Sequence, residues 1–135
     1  MNDKVFADTN IIVYAHTSSE PEKKTKVVEI LDNANLVISM QVVREFITVM
    51  VRKFSQSVAE IKAQIDAVIS ISEVVGEDLG LIDSAVEINQ TYKYRFYDCL
   101  IIASALRAGC KTLLSEDMQH GQTIKSTLTI INPFA

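Results

Sequence analysis

Lys4-Val5-Phe6-Ala7-Asp8-Thr9-Asn10-Ile11-Ile12-Val13 is the stretch whose reading decides the fold. Its apolar opening reads as a short strand buried on both faces, and three polar residues then interrupt it before apolar character returns at helical spacing. Asp8 therefore stands where a strand ends and a helix begins. In open α/β sheets ligands bind outside the carboxyl ends of the strands, so an acid at this junction is a candidate for chemistry. Asp, Thr and Asn also cap helices through their side-chain oxygens, and taken alone the stretch leaves both readings open.

The same alternation continues outward from this junction. Ile11, Ile12, Tyr14 and Ala15 fit a short helix that stops at Thr17-Ser18-Ser19, and Pro21 opens a second helix running to about Asn33. Leu36-Val37-Ile38 reads as a second strand, and Met40 to Phe54 as a helix with Val43, Phe46, Ile47 and Met50 on its apolar face. Ser57 and Glu60 form a capping box ahead of a fourth helix. Val74-Val75 reads as a third strand ended by Gly76, followed by a helix from about Leu81 to Tyr92. Asp98 then heads an apolar helix that Gly109 closes, and strands follow at Thr112–Leu114 and Thr127–Ile131. Strands alternating with helices imply an α/β fold, a mostly parallel sheet of about four to five strands with helices on both faces.

With 135 residues and 48% hydrophobic content, the chain is expected to form one domain over 1–135. A net charge of -4 excludes a global positive field for holding nucleic acid, so any such contact must be local. Basic residues gather at Arg44, Arg52 and Lys53 and again at Lys93 and Arg95, the last two within an aromatic linker, Tyr92 to Tyr97. These suit phosphate contact and base stacking, while core packing of the tyrosines is the plainer reading. Cys99 and Cys110 read as two buried thiols roughly 16 Å apart along one helix, suited to a reducing cytoplasm. No signal-peptide order or membrane-length apolar run occurs, and a cytoplasmic protein is expected.

Asp8 and Asp117 each follow a strand, and Asp98 heads the most apolar helix, where it reads as a cap or a ligand. Carboxylates gathered at one end of a sheet repel one another unless a divalent cation neutralises them. Oxygen ligands without His or Cys partners suit Mg²⁺ or Mn²⁺ rather than zinc, and His16 and His120 lack metal-ligand spacing. No Gly-rich phosphate loop or nucleophile elbow is present.

The opening Val5 to Asn10, the helix bearing Arg44-Glu45-Phe46, the segment Tyr97-Asp98-Cys99-Leu100 and the segment Leu114-Ser115-Glu116-Asp117 occur in an order that resembles the PIN-domain ribonucleases. The likeness implies four site acids, Asp8, Glu45, Asp98 and Asp117, around Mg²⁺ or Mn²⁺. It implies orienting roles for Thr9, Asn10 and Ser115, an outer-sphere or merely solvated Glu116, and RNA contacts from Arg44, Lys93 and Arg95. Hydrolysis by a metal-activated water would leave a 5′-phosphate and a 3′-hydroxyl. Small proteins of this kind are similar to VapC-type toxins of bacterial toxin-antitoxin pairs, which implies an RNA substrate, a small antitoxin partner and a homodimer. Two rivals remain at this point: a haloacid-dehalogenase-like phosphatase and a non-catalytic binding module on the same fold. In the first, a second acid two residues beyond Asp8 is needed, and Asn10 stands there.

Overall fold

The computed structural model describes residues 3–135. In chain order the elements are β1 (Lys4–Ala7), α1 (Thr9–His16), α2 (Pro21–Asp32), β2 (Asn35–Ser39), α3 (Met40–Phe54) and α4 (Val58–Ser70). There follow β3 (Ser72–Val75), α5 (Leu79–Tyr92), α6 (Phe96–Arg107), β4 (Thr112–Leu114), β5 (Thr123–Ile124) and β6 (Leu128–Ile131). The six strands form one sheet in the order β3-β2-β1-β4-β6-β5. All pairings are parallel except β5 with β6.

β1 lies inside this sheet, hydrogen-bonded to β2 on one side and β4 on the other. Successive strand side chains point to opposite faces, yet Phe6 and Ala7 are both fully buried, as are Val37 beside its near-buried neighbours Leu36 and Ile38. Helices therefore cover both faces, giving the α/β/α layering that parallel sheets require. α6 supplies the most continuous cover, with every residue from Cys99 to Ala105 buried.

Register decides where function is possible. Ala7 pairs with Leu114, and the next residues continue the alignment: Asp8 N–H donates to the Leu114 carbonyl at 3.0 Å, and Ser115 N–H to that of Ile131 at 3.1 Å. On the other side β2 ends at Ser39, whose hydroxyl caps α3 by accepting from Val42 N–H. The carboxyl ends of β1, β2 and β4 thus share one edge of the sheet.

Several expectations need correction. The sheet has six strands, because Thr123–Ile124 forms a short hairpin with β6. Lys125 and Ser126 turn that hairpin with φ of 49° and 62°, a left-handed pair that favours Asn-Gly over Lys-Ser, so the sequence carries no turn signal. The Tyr92 hydroxyl accepts from Lys125 N–H at 2.9 Å and steadies the turn from outside. Helix α6 starts at Phe96, not at Asp98: Arg95 is its N-cap and Asp98 lies in its first turn, so the capping reading of Asp98 is set aside. The same helix ends at Arg107, with Gly109 left-handed at φ 76°, so Cys110 lies beyond it rather than on it. Both thiols are nevertheless buried and unpaired, and burial pushes that of Cys110 up to about 11.

Phe6 is fully buried in β1, and deleting its ring leaves a cavity beneath the junction. Phe6→Ala is expected to lower unfolding free energy by about 3–5 kcal/mol, read from the midpoint of urea denaturation at unchanged slope.

Candidate active site

The four expected carboxylates line one cavity of about 620 Å³ from four different places, Asp8 after β1, Glu45 on α3, Asp98 on α6 and Asp117 after β4, and a fifth acid, Glu20, lines it just before α2. Thr9, Asn10 and Arg95 line the same cavity. Each acid is held differently.

Asp8 is only 7% exposed. One of its oxygens accepts from Thr9 N–H at 2.7 Å and the other from the Ser115 hydroxyl at 2.9 Å. It therefore caps α1 while also lining the cavity. Burial pushes its carboxyl up to about 6, against the two hydrogen bonds, and the charges of Asp98 and Glu45 add to the rise.

Glu45 is oriented from two directions. Its Oε1 accepts from the Thr9 hydroxyl at 3.0 Å and from the Gln41 amide at 3.2 Å. Asp117 accepts from the Asn10 amide at 2.9 Å, and its own N–H donates to Ser115 Oγ at 3.3 Å. Ser115, fully buried, thereby joins the Asp8 and Asp117 anchors behind the cavity wall. Asp98 accepts no side-chain hydrogen bond among the described residues, and half-burial raises its carboxyl; Arg95 opposes that rise while Asp117 and Glu45 reinforce it.

The remaining candidates divide. Glu116 turns away from the acids to accept from Tyr14 Oη at 2.5 Å and to pair with Lys23, whose ammonium also stands over the Tyr14 and Phe134 rings. Arg44 is paired with Glu77 at 2.5 Å, and Lys93 ends α5 in a left-handed conformation; neither lines the cavity. The linker tyrosines split as well. Tyr94 bonds Gln122 and Gln119 N–H, whereas Tyr97 is 69% exposed at the cavity.

The lining also holds residues that no motif points to, among them Gln41, Glu20, Phe54 and Tyr14, while Lys53 entered only as part of a basic group. The signal for Gln41 is its spacing, four residues before Glu45 and so on the same face of α3.

The donor set fits a hard divalent cation. Its carboxylates are oxygen donors, and among the described residues no His or Cys lines the cavity and the buried Asn10 Oδ1 has no hydrogen-bond partner. Among the described residues no three His, Cys, Asp or Glu side chains stand close enough to hold one ion by themselves.

Residues 5–123 match the family model described as PIN domain. Among solved structures, a toxin-antitoxin complex from Klebsiella pneumoniae contains a chain with TM-score 0.71 and 18% identity, over 96% of this chain and 98% of that one. VapC20 of Mycobacterium tuberculosis, described as a sarcin-ricin loop cleaving toxin, has TM-score 0.69 and 16% identity over 82% and 87%. A chain of VapBC2 from Rickettsia felis, solved bound to a promoter DNA fragment, has TM-score 0.62 and 19% identity over 84% and 87%. At these identities the likeness is one of fold. No curated protein matches the chain.

The raised Asp8 carboxyl has a consequence for stability. Its contribution is fully present below the unfolded value near 3.8 and is lost as pH rises through about 6. In metal-free protein, stability is expected to fall across that window by on the order of 3 kcal/mol. Denaturant titrations of wild type and Asp8→Asn at pH 4, 5, 6 and 7 check this: the fall should be clearly smaller in the variant, where only the raised Asp98 carboxyl remains.

Proposed function

This chain belongs to the PIN domain family, and from that premise we propose that it is a metal-dependent endoribonuclease, the toxin of a toxin-antitoxin pair. The observation that carries the reading is the meeting of Asp8, Glu45, Asp98 and Asp117 at one cavity. Four carboxylates repel the phosphodiester they would have to cut. A cation held among them, Mg²⁺ or Mn²⁺ by ligand chemistry, would supply the opposite charge and the Lewis acidity needed at a phosphate.

The protein's own groups do the holding and orienting. Thr9 and Gln41 fix one oxygen of Glu45 and leave its Oε2 for the cavity. Ser115 and the Thr9 N–H keep Asp8 from swinging away. Arg95 and Lys53 line the cavity, which supports them as contacts for phosphate oxygens near the cut. The exposed Tyr97 ring offers a stacking face, and the apolar Val13, Val49 and Phe54 lie beside the acids, a lining that suits a base better than a phosphate. Water-driven hydrolysis would release a 5′-phosphate and a 3′-hydroxyl. Asn10 stands where a haloacid-dehalogenase-like phosphatase needs its general acid, and its amide is already donated to Asp117.

Partners follow from the same reading. The similar folds come from toxin-antitoxin proteins, which supports a small antitoxin as partner. Leu79, Ile82 and Val86 make an exposed apolar stripe on α5, which supports association with a second copy. Buried unpaired thiols suit the cytoplasm, and no described helix is long and apolar enough to cross a membrane.

Cleavage of a mixed end-labelled RNA pool by protein freed of any partner tests the reading. With Mg²⁺ or Mn²⁺, discrete cuts are expected; EDTA should abolish them, and Asp98→Asn should slow them by about a hundredfold or more. Cuts that survive both treatments would contradict it, as would an absence of cleavage on every RNA tried.

A further inference from the structure

Gln41 is 5% exposed, in the first turn of α3, and its side chain reaches two elements at once. The amide nitrogen donates to Glu45 Oε1 at 3.2 Å and to the Tyr97 carbonyl at 3.1 Å. Tyr97 immediately precedes Asp98, so one neutral amide spans from the Glu45 carboxylate to the backbone that carries the next acid. Both N–H groups of a primary amide are available for such a bridge, and it adds no charge of its own. A glutamate in its place would deepen the repulsion, and a lysine would neutralise one acid outright.

We propose that Gln41 is a positioning residue: it ties Glu45 to the first turn of α6 and so sets the spacing between Glu45 and Asp98 at the cation site. Glu45 and Asp98 carry like charge and face the same cavity, so without a tie they are free to move apart. Thr9 holds Glu45 to α1 but, among the described residues, its side chain makes no hydrogen bond to α6. Gln41 alone among the described side chains hydrogen-bonds to both Glu45 and α6. The inference takes from the preceding section only that a divalent cation binds among these acids; it does not require that the substrate be RNA.

Mn²⁺ titration of the full chain, followed by the EPR signal of free Mn²⁺, tests it on wild type, Gln41→Met, Glu45→Gln and the double variant. Methionine keeps the volume and removes both donors, so the melting temperature should move by a few degrees at most. Mn²⁺ affinity of Gln41→Met is expected to drop 10- to 100-fold, the range seen when an outer partner of a metal ligand is lost. In the Glu45→Gln background the same change should cost little more, because Gln41 acts through Glu45. Should Gln41→Met not fold, Gln41→Leu takes its place with the same expectation.

Unchanged Mn²⁺ affinity in a folded Gln41 variant overturns the proposal, because a purely structural glutamine would alter stability alone. Fully additive losses in the double variant also overturn it, as does a wild type that binds no Mn²⁺ at millimolar concentration. If Mn²⁺ binding follows the expected pattern while no RNA is cut, Gln41 keeps its role and the nuclease reading falls.

Discussion

The carboxylate of Asp8 is buried at the carboxyl end of β1, with strands hydrogen-bonded on both sides and helices over both faces. A carboxylate in that setting is costly unless its oxygens are satisfied, and here each accepts one hydrogen bond, from Thr9 N–H and from Ser115. Those bonds depend on β1 and β4 ending at the same level, which the Ala7–Leu114 register enforces. A one-residue slip would turn the side chains to the opposite face and separate Asp8 from Ser115. The rest of the site is built outward from this pair.

Three helix N-termini converge on the same edge. α1 begins at Thr9 beneath Asp8, α3 begins at Met40, one residue before Gln41, with Ser39 as its cap, and α6 places Asp98 in its first turn. The partial positive charge of each N-terminus favours anionic side chains nearby and offsets part of the mutual repulsion. It does not remove it, since the Asp8 and Asp98 carboxyls are both raised. The residual charge strain is what a divalent cation would relieve. At the cavity's margin, which Tyr14 lines, the Lys23, Glu116 and Tyr14 contacts join α1 and α2 to the loop beside Asp117.

The sequence was most legible where local pattern and tertiary position agree. The strand, the polar break and the helix around Asp8 are all visible in ten consecutive residues, because burial of β1 on both faces demands an unbroken apolar run. The alternation of strands and helices carried the layering for the same reason. The Lys125-Ser126 turn was invisible because its left-handed conformations are adopted by residues with no preference for them. The start of α6 was displaced because Phe96 and Tyr97, both exposed, read as linker aromatics although both belong to the helix. Spacing puts Gln41 beside Glu45 on one face of α3, but its contact with Tyr97, 56 residues away, is encoded by no local pattern.

The central claim is that the acids gathered at this edge form a site for a divalent cation, left under repulsion when none is bound. Thermal unfolding of the full chain at neutral pH, in EDTA and then in rising Mg²⁺ and Mn²⁺, tests that most directly. A melting temperature that climbs with the concentration of either ion, and that no longer responds in Asp8→Asn, is the predicted result, since a ligand of the folded state alone stabilises by mass action. A melting temperature indifferent to both ions, in wild type as in the variant, would contradict the account.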